Sequence, residues 1–186
     1  MHPCQTIAGG FSKNACILWL SYINPTTRYF EWGSGSTTRI ADKIAMRVTS
    51  IEGSHSWYKK MMTHNFSKNT NLMYVDIGPT KMFSWPLQKN NTKKSQAYVN
   101  AINSTQDIIL VDGRWRVACA IASFPFIESN GRLLLHDFGR KEYHTLLKFY
   151  EKEKEIEELV VLRKKTNVSQ LELRKHKTIF MNNALR

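Results

Sequence analysis

Apolar positions along this chain repeat with two periods that alternate. Phe11, Ala15, Leu18 and Tyr22 recur at helical spacing and Pro25 ends the pattern, so an amphipathic helix is expected to open the fold. Arg28 to Trp32 reads as a short strand, Gly33 to Thr37 as a tight polar loop, and Thr38 to Val48 as a helix with Ile40, Ala41, Ile44 and Ala45 on one face. Val48 to Ile51 predicts a second strand, Ser54 to Met62 a helix, and Leu72 to Asp76 a third strand ending on an acid. This is the alternation of βαβ units, and it predicts a three-layer α/β fold with a mostly parallel sheet.

The region from Gly78 to Gln106 is the least regular, with Pro79, Trp85 and Pro86 and one short helix expected from Ser95 to Ile102; its length suggests a functional loop. Asp107 to Asp112 carries a continuous Ile-Ile-Leu-Val run suited to an interior parallel strand, followed by a helix around Arg116 to Ala122 and a fifth strand from Gly131 to His136. Tyr143, Leu146, Leu147 and Tyr150 predict one helix face, with the Glu/Lys run from Glu151 to Glu158 as its solvated side. Leu159 to Leu162 is the last clear strand. Ser169 with Glu172 resembles a capping box and predicts a C-terminal helix.

A length of 186 residues fits one domain with its own core, spanning 1–186. The longest apolar stretch near the N-terminus, Ala15 to Leu20, is far shorter than a membrane span, so a soluble, cytoplasmic protein is expected. Cys4, Cys16 and Cys119 are odd in number and scattered; they offer neither a disulfide framework nor metal-ligand spacing, which suits a reducing compartment. The net charge of +12 favours an anionic partner, although the basic residues are spread along the chain and equally suit a solvated surface.

Candidate chemistry concentrates at strand ends. Glu31-Trp32-Gly33-Ser34-Gly35-Ser36-Thr37 closes a strand and opens a helix, where glycines let backbone approach a ligand and free N–H groups line the loop. A nucleotide-like ligand belongs there. Glu52 ends the second strand, where a carboxylate can accept from both hydroxyls of a ribose; Asp76 ends the third and could reach an adenine amino group, with Trp57 or Ile77 against the ring.

The order Glu31-x-Gly33-x-Gly35, Glu52, Asp76, Asp112 resembles that of class I S-adenosylmethionine-dependent methyltransferases, from about Tyr29 to Leu162. The resemblance implies a Rossmann-like methyltransferase fold and S-adenosylmethionine as cofactor. Glu31, Gly33, Ser34, Gly35 and Thr37 would then hold its amino acid part, Glu52 its ribose, and Trp57, Asp76 and Ile77 its adenine. A dinucleotide fits less well, because Thr38 stands where that fingerprint needs a third glycine.

Val111-Asp112-Gly113-Arg114 and Leu135-His136-Asp137 put polar groups at the carboxyl edge of the sheet, where acceptor chemistry is expected. The Asn/Asp-Pro-Pro-aromatic motif of many base N-methyltransferases is replaced by Asp112-Gly113-Arg114, which favours an oxygen acceptor. Asp112, His136 and Asp137 are the candidate bases, His136 having the unperturbed pKa nearest neutrality. Catechol-type and macrolide-type O-methyltransferases place acids near these strand ends to hold a divalent cation, so the resemblance also suggests Mg2+ or Mn2+ between Asp112 and Asp137. The Val-Asp-Gly-Arg and His-Asp pair, with the Ile77-Gly78-Pro79-Thr80 turn, further resembles small glycan methyltransferases, including those of large algal viruses. That likeness implies a sugar hydroxyl as acceptor, a host cytoplasm as setting, and Arg114, Arg116, Trp85 and Tyr98 as groups that hydrogen-bond or stack on the sugar. The rival functions are an RNA methyltransferase, supported by the charge but lacking a recognisable RNA-binding module, and a binding protein that keeps the fold without catalysis.

Overall fold

In the computed structural model, which describes Cys4 and residues 11–81, 85–87 and 92–182, a seven-stranded sheet forms the middle of the molecule. The elements follow in the order α1 (Lys13–Leu20), β1 (Arg28–Trp32), α2 (Ser36–Ala41), β2 (Arg47–Glu52), α3 (His55–Met61), β3 (Thr70–Tyr74), β4 (Thr80–Lys81), β5 (Trp85–Pro86), α4 (Thr92–Val99), β6 (Gln106–Val111), α5 (Arg116–Ser123), β7 (Ile127–His136), β8 (Tyr150–Ile156), β9 (Leu159–Lys164) and α6 (Gln170–Met181). The sheet order is β3-β2-β1-β6-β7-β9-β8. Strand β9 alone runs against its neighbours β7 and β8, while the pairings among β3, β2, β1, β6 and β7 are parallel.

Alternation along the central strands sends residues into two cores. Ile109 and Val111 of β6, Leu133 and Leu135 of β7, and Val160 and Leu162 of β9 pack with residues of α4, α5 and α6. Their neighbours Ile108, Leu110, Leu134, Leu159 and Val161 pack on the other face with Ala15, Leu18 and Trp19 of α1 and Ala41 of α2. This burial on both faces is the reason the strands read as continuous apolar runs.

Four expectations are corrected. The helix expected to reach Val48 ends at Ala41: Asp42 turns away, its carboxylate accepting from the Ser67 N–H and the Thr70 hydroxyl, and β2 already begins at Arg47. The Glu/Lys run is no helix face. Residues Lys141–Lys148 form a 3-10 helix, and Glu151 onward continues in β8, an edge strand whose alternating charges discourage pairing with another chain. Buried Tyr150 anchors its start, donating to the Ala120 carbonyl at 2.6 Å. Strand β3 ends at Tyr74, so Asp76 lies in the following turn. Cys4 and Cys16 are joined in a disulfide that ties Cys4 to α1, leaving buried Cys119 as a free thiol among the described residues. The thiol argument for a reducing compartment therefore falls.

The expected helix from Ser95 starts three residues earlier, at Thr92, and β4 and β5 form a small hairpin. Residues 82–84 and 88–91 of the irregular region lie outside the described residues. Among the described residues, no helix is long and apolar enough to cross a membrane.

Candidate active site

The glycine loop is built on a buried carboxylate. Glu31 is 0% exposed and receives hydroxyl donors from Tyr29 (2.8 Å), Thr37 (2.8 Å), Ser50 (2.7 Å) and Thr38. Burial dominates and raises its pKa, against the four hydroxyls, which favour the charged form. Glu31 thus shapes the loop from beneath. Gly33 follows with φ +95°, and a Cβ there would lie 2.9 Å from the backbone of Asp112 and Gly113, so only glycine lets the β1 and β6 tips meet. At Gly35 the space a Cβ would enter holds nothing within 4 Å, which is the open cradle a ligand needs.

Glu52 faces this loop from the end of β2. Its Oε2 accepts from the Ser34 N–H (3.2 Å) and hydroxyl (2.9 Å), and its Oε1 from the Ser54 N–H (2.7 Å). The indole N–H of Trp57, in α3, donates to the Ser34 carbonyl at 2.8 Å while its ring remains 39% exposed. Loop, acid and aromatic therefore form one hydrogen-bonded unit. The expected adenine readers fare differently. Asp76 is engaged by Lys94 at 2.7 Å, by the Gly78 N–H at 2.7 Å and by the Tyr74 hydroxyl at 3.2 Å. Ile77 is buried in the core and offers no ring-facing surface, which corrects its assignment.

At the β6 and β7 ends the expected polar groups converge. His136 Nδ1 lies 2.8 Å from Asp112 Oδ1 and 3.7 Å from Asp137 Oδ1. Burial opposes a charged imidazole, but Asp112 outweighs it by hydrogen bond and by charge, with Asp137 adding and Arg116 opposing, so the pKa of His136 is raised. Phe11 covers the ring at 4.9 Å between centroids, and Nε2 points toward Glu158 at 4.0 Å. Asp137 sits at φ +61°, a left-handed conformation that non-glycine residues rarely hold. Burial opposes its charge as well, yet Arg116, His136 and Arg140 together hold it below the usual carboxylate range.

Arg116 overturns two expectations. Its buried guanidinium lies between the two acids, 3.0 Å from Asp112 Oδ1 and 3.0 Å from Asp137 Oδ2, and also donates to the carbonyls of His136 and Gly113. It therefore occupies the position expected for Mg2+ or Mn2+, and among the described residues no group of three His, Cys, Asp or Glu could hold a metal. Nor is it a group for binding substrate, since every direction it points is taken by the protein. Tyr98 is likewise corrected: it is buried beneath Gly113, where a Cβ would lie 2.1 Å from its hydroxyl, and its ring packs on Trp115. Arg114 and Trp85 do meet, the guanidinium stacking 4.2 Å from the ring centroid.

The sequence reading missed Tyr29, Thr38 and Ser50 under Glu31, and Arg140, which grips Asp137 at 2.6 Å. A signal existed for Ser50: it pairs in register with Glu31 on strands buried from both sides, where a carboxylate must find donors.

No family model and no curated protein matches the chain. Among solved structures it is similar to a methyltransferase-like protein from Silicibacter pomeroyi, with TM-score 0.76 and 25% identity over 98% of this chain and 96% of that one. It is also similar to a TehB-like SAM-dependent methyltransferase from Corynebacterium glutamicum, with TM-score 0.54 and 10% identity over 81% and 86% of the two chains. The MycE methyltransferase from the mycinamycin biosynthetic pathway, in complex with Mg, SAH and mycinamycin VI, matches with TM-score 0.52 and 11% identity over 86% of this chain and 52% of that one. Sheet order, edge hairpin and these neighbours agree: the chain has the Rossmann-like α/β fold of the class I methyltransferases.

Proposed function

We propose that the protein is an S-adenosylmethionine-dependent O-methyltransferase whose acceptor is a hydroxyl of a sugar or glycan. One observation carries the proposal. Asp112 turns Oδ1 to His136 and Arg116, whereas Oδ2 accepts no hydrogen bond among the described residues, and the side chain is 25% exposed beside the glycine loop. A carboxylate anchored through one oxygen and open through the other is placed to receive a hydroxyl proton.

The cofactor, when bound, supplies an electrophilic methyl group. Gly33, Ser34, Gly35 and Thr37 would surround its amino acid part, Glu52 its ribose and Trp57 its base. Asp112 orients the acceptor hydroxyl and accepts its proton as the oxygen takes the methyl group. His136 acts through Asp112 as a positioning residue, because its Nδ1 is committed to that carboxylate and its ring is covered. Asp137 is held by two arginines and serves to fix Arg116. No step is assigned to a divalent cation, since the Arg116 guanidinium fills the position between the acids.

The test is methyl transfer from labelled S-adenosylmethionine to a panel of nucleotide sugars, oligosaccharides, small phenols and RNA. Transfer to a carbohydrate in preference to the rest is expected. Transfer to RNA with none to any glycan would replace the acceptor assignment, and cofactor binding without turnover on any class would favour a non-catalytic role.

A further inference from the structure

Among the described residues, Arg114 near the β6 tip has a guanidinium that no carboxylate or carbonyl satisfies. The residue is 8% exposed, yet among the described residues its guanidinium forms no ion pair and its buried Nε–H finds no acceptor. Its contact is the Trp85 ring face at 4.2 Å, which fixes the plane of the guanidinium and leaves its donor edge uncommitted. Burial and the neighbouring charge of Arg116 both act against the charged form. The adjacent Trp115 repeats the pattern: held at φ +49°, it buries an indole N–H that also lacks an acceptor among the described residues. Nearby Arg116, by contrast, has two carboxylates and three carbonyls. A buried guanidinium whose Nε–H has no acceptor among the described residues is costly, and its place beside a strained backbone at a candidate active site suits a partner that arrives with a ligand.

We infer that Arg114, stacked on Trp85, binds an oxyanion carried by the acceptor, so that the methylated molecule is an acidic one bearing a carboxylate or phosphate. This rests on the methyltransferase reading above and narrows its substrate class. A planar guanidinium held by its face can meet a carboxylate or phosphate with two parallel N–H bonds. The anion would fix one end of the acceptor while Asp112, two residues before Arg114, receives the hydroxyl.

The test uses the full chain saturated with S-adenosylhomocysteine, titrated with glucuronate, glucose 6-phosphate and neutral glucose while the Arg114 Nε–H is followed by nuclear magnetic resonance. Saturable binding of at least one acidic sugar that moves the Arg114 signal is expected, with no response to glucose. R114Q should weaken the acidic probe about tenfold or more, change S-adenosylhomocysteine affinity by less than about threefold, and leave the melting temperature unchanged or higher, because it removes a buried unpaired charge. Three results would overturn the inference: equal or absent responses to acidic and neutral sugars, a melting temperature several degrees lower in R114Q, or a loss of S-adenosylhomocysteine affinity matching that of the acidic probe. The last would assign Arg114 to the cofactor's own carboxylate. If the protein binds no S-adenosylhomocysteine, the methyltransferase reading fails separately, and the same titration on the ligand-free chain still reports whether Arg114 takes an anion.

Discussion

The tips of β1 and β2 and the tips of β6 and β7 share one edge of one sheet but handle charge in opposite ways. At the first pair, Glu31 and Glu52 are satisfied by neutral hydroxyl and amide donors from the chain itself. At the second, Asp112, Asp137 and His136 are interlocked with Arg116 and Arg140, and among the described residues Asp112 Oδ2 and the Arg114 Nε–H have no hydrogen-bond partner. A polar group completed by its own fold holds shape. One left incomplete costs stability and is kept for something that arrives. On the function proposed above, the first tip would serve as a rigid cradle and the second as the edge that reacts and recognises.

The strongest way to break this contrast is D112N. Replacing the open carboxylate should lower turnover by about 10²- to 10⁴-fold, the usual contribution of a general base, while cofactor affinity changes little. Single-turnover transfer and calorimetry with S-adenosylhomocysteine separate the two. Equal losses in both measurements would mean that the β6 tip belongs to the cradle.

The converse test falls on the cradle. G33A must place a Cβ 2.9 Å from the Asp112 and Gly113 backbone at φ +95°, and the strained backbone alone should cost about 1–3 kcal/mol in denaturant unfolding. E31Q should cost a similar or smaller amount, about 1–3 kcal/mol, because the amide nitrogen that replaces one carboxylate oxygen cannot accept from the pair of hydroxyls that oxygen gathers. Both variants should lose cofactor affinity as a consequence of a misshapen loop. An E31Q protein with unchanged stability and weakened cofactor binding would show that Glu31 meets the ligand directly.

The cradle was the more legible region. Strand β1 falls where the apolar pattern placed it, and Glu31, Gly33 and Glu52 were visible because loop and strand chemistry is local. At the other edge Asp112, His136 and Asp137 were found, but their relations were not. The position of the guanidinium depends on how α5 leaves β6, although Asp112 and Arg116 stand four residues apart and hinted at a pair. Tyr98 and Ile77 were misplaced because a strand-end or helix position does not reveal which way a side chain faces. The charged run from Glu151 misled for a related reason: lysine and glutamate suit a solvated helix and an edge strand equally, and buried Tyr150 with the β9 pairing decides it. The Cys4–Cys16 bond depends on where Cys4 lies relative to α1, which no spacing rule carries.

The mildest test sharpens the contrast through pH. His136 faces Asp112, Asp137, Arg116 and Glu158, with Phe11 across its ring, and the Asp112 carboxylate outweighs burial to raise its pKa above that of an ordinary imidazole. A raised folded-state pKa means that the folded protein binds this proton more tightly than the unfolded chain. The resulting stabilisation is complete below the unfolded value and disappears as pH rises through the folded one. The wild type should therefore exceed H136Q in melting temperature by more at mildly acidic pH than at mildly alkaline pH, and the His136 ring proton should titrate above the position of a free imidazole. Because the imidazole acts through Asp112, turnover of the wild type should fall on acidification through that same midpoint, and H136Q should lose this inflection while keeping cofactor affinity. An imidazole that titrates at or below the ordinary value, with the stability difference running the other way, would remove His136 from the Asp112 pair.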